Sequence, residues 1–137
     1  MSVKGSNTTC SGLDWNIMLG LLSQLKKEKK FRDYLLISIG CHLGIRASDL
    51  LSLKWQDVLG KDQLILREKK TGKERVFSIH PRCKEGINYV WNHQPRNKHI
   101  GLNKHIFINK KGTKISLQYI NKRLKDVFAE YKIKTDN

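Results

Sequence analysis

The sequence predicts an α+β domain, mainly helical, with a small antiparallel β-hairpin or three-stranded sheet. Three observations lead there. Apolar residues recur at helical spacing in the first third of the chain and again over 117–131. Between them lie two short strand-like runs, Gln63 to Glu68 and Arg75 to Ile79, on either side of Lys69-Lys70-Thr71-Gly72-Lys73-Glu74. Gly72 supplies the positive φ of a tight reversal, so a hairpin is the economical reading. Finally, 137 residues with 39% hydrophobic content suffice for one core, and no break in composition suggests a second domain.

The elements follow in order. Residues 1–10 are small and polar and read as a loose leader, ahead of a domain over 11–137. Ser11 and Asp14 form an S-x-x-D capping signature before Trp15, Met18, Leu19, Leu22 and Leu25, an amphipathic stripe ending in the basic run 26–30. That run reads as a solvated helix end. Phe31 to Leu43 is apolar almost all round, the pattern of a central buried helix that Gly44 stops. A short third helix packs Leu50, Leu51 and Leu53 inward. After the hairpin, Pro81 opens a helix carrying Ile87, Val90 and Trp91. A basic loop spans 95–103, His105 to Ile108 is a candidate third strand, and Lys110-Lys111-Gly112 is a turn. Ser116 caps the last helix, with Leu117, Ile120, Leu124, Val127, Phe128 and Tyr131 on its apolar face.

Charge narrows the function. Twenty-seven Lys and Arg against twelve Asp and Glu leave a formal +15. Residues 1–66 carry only +3 of it and residues 67–137 carry +12. A polyanionic partner follows, nucleic acid before an anionic membrane surface. The longest nearly apolar run, Tyr34 to Ile45, is twelve residues, short of the roughly twenty needed to span a bilayer. Cys10, Cys41 and Cys83 show no paired spacing, which argues against a disulfide framework or a zinc ribbon and for a reducing cytoplasm. Neither the cysteines nor the five histidines have metal-ligand spacing.

Two segments can carry chemistry. In Gly44-Ile45-Arg46-Ala47-Ser48-Asp49-Leu50-Leu51-Ser52-Leu53-Lys54-Trp55-Gln56-Asp57-Val58, an arginine directly follows a helix-ending glycine. Asp49 is spaced to orient it across one turn, leaving a planar fork of donors for phosphate oxygens. The plainer reading is an Arg46–Asp49 surface pair. The second segment is the hairpin tip, whose lysines either reach a phosphate or keep a sheet edge soluble.

In this order the two segments resemble the tyrosine recombinase, or phage integrase, family. Its G-[LI]-R-x-S-[ED]-L-x-x-L-x-W-x-D block matches 44–57, and its K-T-G-K-x-R hairpin matches 70–75. His105 to Ile108 and Lys111 to Ser116 also look like the stretch before that family's second motif. The resemblance implies an integrase-type catalytic core that breaks and rejoins double-stranded DNA through a 3′-phosphotyrosine, with no cofactor and no metal. It implies that Arg46 stabilises charge on the non-bridging oxygens and that Lys70 protonates the leaving 5′-oxygen. Asp49 would orient the basic groups, and Lys69, Lys73 and Arg75 would grip backbone phosphates.

The departures carry equal weight. The family's H-x-x-R motif and nucleophilic tyrosine would follow the helix beginning at Ser116, and the chain reaches Asn137 first. His93-Gln94-Pro95-Arg96 has that spacing but precedes the strand and helix it should follow. Tyr34, Tyr89, Tyr119 and Tyr131 read as helix packing residues, so none is taken as a nucleophile. The expectation is therefore the first part of a recombinase catalytic domain, over 11–137, inactive by itself and monomeric, from a mobile-element enzyme that assembles as a tetramer on DNA. The alternative is a non-catalytic DNA-binding or regulatory module derived from a recombinase.

Overall fold

A computed structural model describes residues 14–68, 70–95 and 99–131. The expected leader, Ser11, Lys69 and Arg96 lie outside them. Six helices and one hairpin are present among the described residues: α1 (Trp15–Lys27), α2 (Phe31–Leu43), α3 (Ala47–Leu51), α4 (Trp55–Val58), β1 (Gln63–Arg67), β2 (Glu74–Ser78), α5 (Pro81–His93) and α6 (Leu117–Glu130).

Helix α2 is the axis of the molecule. Its residues 33–40 are all buried, and it packs against α1, α3, α5 and α6. The continuous apolar run forces that central place, because a helix with no polar face has nothing to offer water. Its buried charge, Asp33, is met by Arg123 of α6, which donates from Nε at 3.0 Å and from a terminal nitrogen at 2.6 Å. Gly44 ends the helix at φ 66°, a left-handed conformation that glycine adopts without a Cβ penalty.

The other boundaries have similarly local causes. Asp14 caps α1 by accepting from the amides of Asn16 and Ile17. Ser116 caps α6 through Tyr119 N–H, and His80 caps α5 through Arg82 N–H ahead of Pro81 at the first turn. Helix α4, a single turn that periodicity cannot announce, is started by the Asp57 carboxylate accepting from Lys54 N–H at 2.8 Å. It buries Trp55, whose ring lies 5.1 Å from that of Trp91 on α5.

Strands β1 and β2 pair antiparallel, with Leu64 opposite Phe77 and Leu66 opposite Arg75 on the inward face. Ile65 and Val76 face each other on the outer side, each 55% exposed.

Several expectations change. Of the two expected forms of the sheet, the described residues build the two-stranded hairpin, and the candidate third strand does not join it. His105 to Ile108 makes only isolated bridges, His105 with Lys54 and Ile108 with Lys114. Around the first of these, Trp55 N–H donates to Lys104 O, Gln56 N–H to Leu102 O, and Ile106 N–H to Leu53 O. The segment thus serves as a strap across α4, too irregular for a ladder. Trp15, Leu117 and Tyr119 are exposed at 48%, 42% and 42%, at helix starts that overhang the core. Cys83 is free and buried, its thiol pushed up to about 11 by burial. No helix among the described residues is long and apolar enough to cross a membrane.

A second feature lies where α2 meets α5. His42 Nδ1 is 2.8 Å from the Ser38 carbonyl, so that nitrogen carries the proton and donates. The ring stacks on His80 at 5.6 Å and meets the edge of Trp15 at 5.2 Å, leaving Nε2 buried without a hydrogen bond. Burial holds the His42 pKa below its ordinary value, with the nearby charges of His80 and Arg82 adding and the Ser38 carbonyl opposing.

Candidate active site

The left-handed turn at Gly44 delivers the chain to Ile45, which is buried, and then to Arg46. Arg46 is the N-cap of α3, with φ −75° and ψ 153°, and its carbonyl accepts from Asp49 N–H at 3.0 Å and Leu50 N–H at 3.1 Å. Buried neighbours on both sides fix its backbone, while its side chain is exposed and makes no ion pair among the described residues. A guanidinium placed so is open to an incoming phosphate.

Asp49 does not pair with Arg46. The one-turn spacing rule holds between residues inside a helix. Arg46 has extended dihedrals and stands outside α3, so the helical register that would align the two does not reach it. Asp49 instead accepts from a terminal nitrogen of Arg75, on β2, at 3.1 Å. The guanidinium of Arg75 also lies 5.8 Å from the centre of the Phe77 ring, and its Nε is 3.9 Å from Glu68. Arg75, expected to face the DNA backbone, is thus turned inward and half-buried.

The hairpin tip is tightly built. Glu68 O accepts from Gly72 N–H at 2.8 Å, and Glu68 N–H donates to Lys73 O at 2.9 Å. The Thr71 hydroxyl accepts from Lys73 N–H at 3.2 Å and donates to the Glu68 carboxylate at 3.4 Å. Gly72 sits at φ 69°, as the reversal requires. Lys70 and Lys73 stand exposed on this frame, with no ion pair among the described residues. Arg67 and Glu74 pair across the strands on the outer face. The role of Glu68, which holds the tip and approaches Arg75 at once, has no signal in the sequence beyond its sign.

A concavity lies elsewhere. A cavity of about 620 Å³ opens between the first turn of α2, the end of α5, the 99–110 segment and α6. Arg46 lies past the other end of α2, which at 1.5 Å per residue is about 20 Å long. The cations around the cavity are largely satisfied within the protein. Arg32 donates to Ile108 O and to the Tyr119 hydroxyl, Lys30 pairs with Glu28 and Glu130, and Arg123 pairs with Asp33. Arg46 and the hairpin lysines, all exposed, suit a large polyanion better than an enclosed ligand. No group of three or more His, Cys, Asp or Glu residues among those described is placed to hold a metal ion.

The family model for the phage integrase family matches residues 13–137. The chain belongs to the phage integrase family. Within it, the chain is 38% identical over 66 residues to a probable integrase/recombinase, YoeC, from Bacillus subtilis (strain 168), a match covering 48% of this chain and 36% of that protein. The crystal structure of XerA recombinase superimposes with a TM-score of 0.69 over 93% of this chain and 45% of XerA, at 18% identity. At that identity the likeness is one of fold. The chain therefore spans less than half the length of either relative.

Proposed function

We propose that this integrase chain supplies the arginine and lysine side of a DNA strand-exchange site, in an enzyme that breaks and rejoins double-stranded DNA through a phosphotyrosine. The observation that carries this reading is the Asp49–Arg75 ion pair at 3.1 Å. It ties the Arg46 turn to the Lys70 hairpin, the two segments the chemistry requires together.

In this reading Arg46 donates its planar fork to the non-bridging oxygens, whose charge grows as phosphorus becomes five-coordinate. Lys70 protonates the 5′-oxygen as the bond to phosphorus breaks. Lys73 and Lys69 hold the adjoining backbone phosphates. The tyrosine nucleophile is none of Tyr34, Tyr89, Tyr119 or Tyr131; Tyr34 is buried in the core, and the Tyr119 hydroxyl is engaged by Arg32. No nucleotide cofactor enters, because the phosphotyrosine link conserves the energy of the broken phosphodiester. By itself the chain is a monomer, and the tetramer on paired sites belongs to the complete recombinase.

The test is fluorescence anisotropy with labelled duplex DNA, repeated over a range of salt. The chain should bind without sequence preference, and affinity should fall linearly on a log–log plot against salt. R46A and K70A should each lower that slope by about one phosphate contact. A suicide substrate incubated with the chain should give no covalent adduct. Salt-independent binding, or preference for single-stranded RNA over duplex DNA, would overturn the proposal. An adduct at one of the four tyrosines would overturn the assignment of the nucleophile.

A further inference from the structure

We infer that Arg75 is a positioning residue, which acts through Asp49 to hold the Lys70 hairpin against the Arg46 turn, and is not a DNA-backbone ligand. This rests on the strand-exchange reading above and assigns a function to a basic residue of the hairpin that a charge count would give to the phosphates.

Three observations set Arg75 apart from the lysines of the tip. It sits on the inward face of β2, opposite Leu66, whereas Lys70 and Lys73 stand on the exposed reversal. Its guanidinium is met by the half-buried Asp49 carboxylate at 3.1 Å, with Glu68 at 3.9 Å from Nε and the Phe77 ring beneath. That Nε is also buried from solvent and has no hydrogen bond. A phosphate ligand needs donors facing solvent. Arg75 has its charge opposed by two carboxylates and one donor already sealed inside.

The geometry explains why such a strut is useful. Strand β1 packs on α4, so the base of the hairpin is anchored by apolar contact. The tip extends beyond that anchor. Asp49 lies in the first turn of α3, three residues after Arg46, and Arg75 lies five residues after Lys70. The ion pair thus joins the segments that carry the two catalytic candidates. In a rejoining reaction a lysine must meet one bridging oxygen while an arginine meets its neighbours, and small displacements are costly in rate.

The two roles predict opposite signs for one substitution. D49N removes a negative charge from a DNA-facing region. If Arg75 is a phosphate ligand, freeing it from Asp49 should tighten duplex binding. If Arg75 is a strut, D49N should weaken binding by about three- to tenfold, as R75Q does, since the tip lysines lose their fixed placement. The measurement is duplex anisotropy on the 137-residue chain, paired with amide hydrogen exchange over residues 63–78. D49N and R75Q should both speed exchange across the hairpin while leaving α2 protected, and the exchanged pair D49R/R75D should restore both affinity and protection. R75K, which keeps the charge but loses the fork, should fall between. Tighter binding by D49N, or hairpin exchange unchanged in both single variants, would overturn the inference. A chain that binds no duplex would refute the strand-exchange reading, and the exchange data would still decide whether the strut exists.

Discussion

Removing Arg123 isolates the one charged group that is buried among the described residues. Asp33 is 6% exposed, on a helix with no polar face, and both of its oxygens accept from the same guanidinium. Breaking a buried pair by deleting one partner costs about 3–5 kcal/mol, because an uncompensated charge stays inside. The guanidinium side chain retains 24% exposure, so water screens part of the interaction. About 3 kcal/mol is therefore expected for R123M, which keeps the volume of the stem and removes the charge. With a urea slope of about 2 kcal/mol/M, the unfolding midpoint should fall by about 1.5 M. R123K should lose about half as much, since an ammonium keeps the charge but not the two-point geometry. The double variant D33N/R123M should recover at least about 1 kcal/mol relative to additivity, because the stranded charge is gone. Urea titration followed by circular dichroism reads all of these. A midpoint within about 0.2 M of the parent for R123M would show that water already compensates Asp33, and that the α2–α6 junction is held by apolar contact alone.

Two further outcomes follow from the packing. Because the fold holds His42 neutral, the unfolded chain takes up its proton first; stability should be full above pH 6.5 and decline as pH falls below it, and H42Q should flatten that decline in thermal melts from pH 7 to 5. A decline of equal steepness in H42Q would move its origin to other groups. A Cβ at Gly86 would collide with the Tyr34 hydroxyl and crowd its ring, so G86A should lower Tm by about 3–8 °C despite alanine's better helix propensity, and adding Y34F should return part of the loss.

The parts of this fold that could be read ahead of the structure are those whose cause is local. Helix α2 runs from Phe31 to Leu43 because a nearly apolar run meets a glycine able to take φ 66°. The hairpin needs only alternation and Gly72, and α5 needs only Pro81. What escaped the reading depends on partners distant in the chain. The third strand failed because residues 102–106 are held by single amide bonds to residues 53–56, a pattern with no period to detect. The site was legible in its residue types, since the Gly44–Asp57 block and the Lys70–Arg75 hairpin carry the family's motifs. Its wiring was not. Spacing paired Asp49 with Arg46, three positions away, and the structure pairs it with Arg75, 26 positions away. The deciding fact is a backbone dihedral, because Arg46 lies just outside the helix that would have aligned the two.

The strap across α4 has a consequence for how this chain can vary. With residues 53–56 bonded to residues 102–106, everything between them, hairpin and α5 included, is a closed loop clasped at its neck. The entropy lost in closing such a loop grows only with the logarithm of its length, about 0.6 kcal/mol for each doubling. Additional residues in the stretch between α5 and the strap would therefore tax folding lightly. The Arg46 turn lies outside the clasp and the Lys70 tip within it. Length changes in that stretch enter the loop after α5, and the 3.1 Å contact between Asp49 and Arg75 remains as the tie between the two sides.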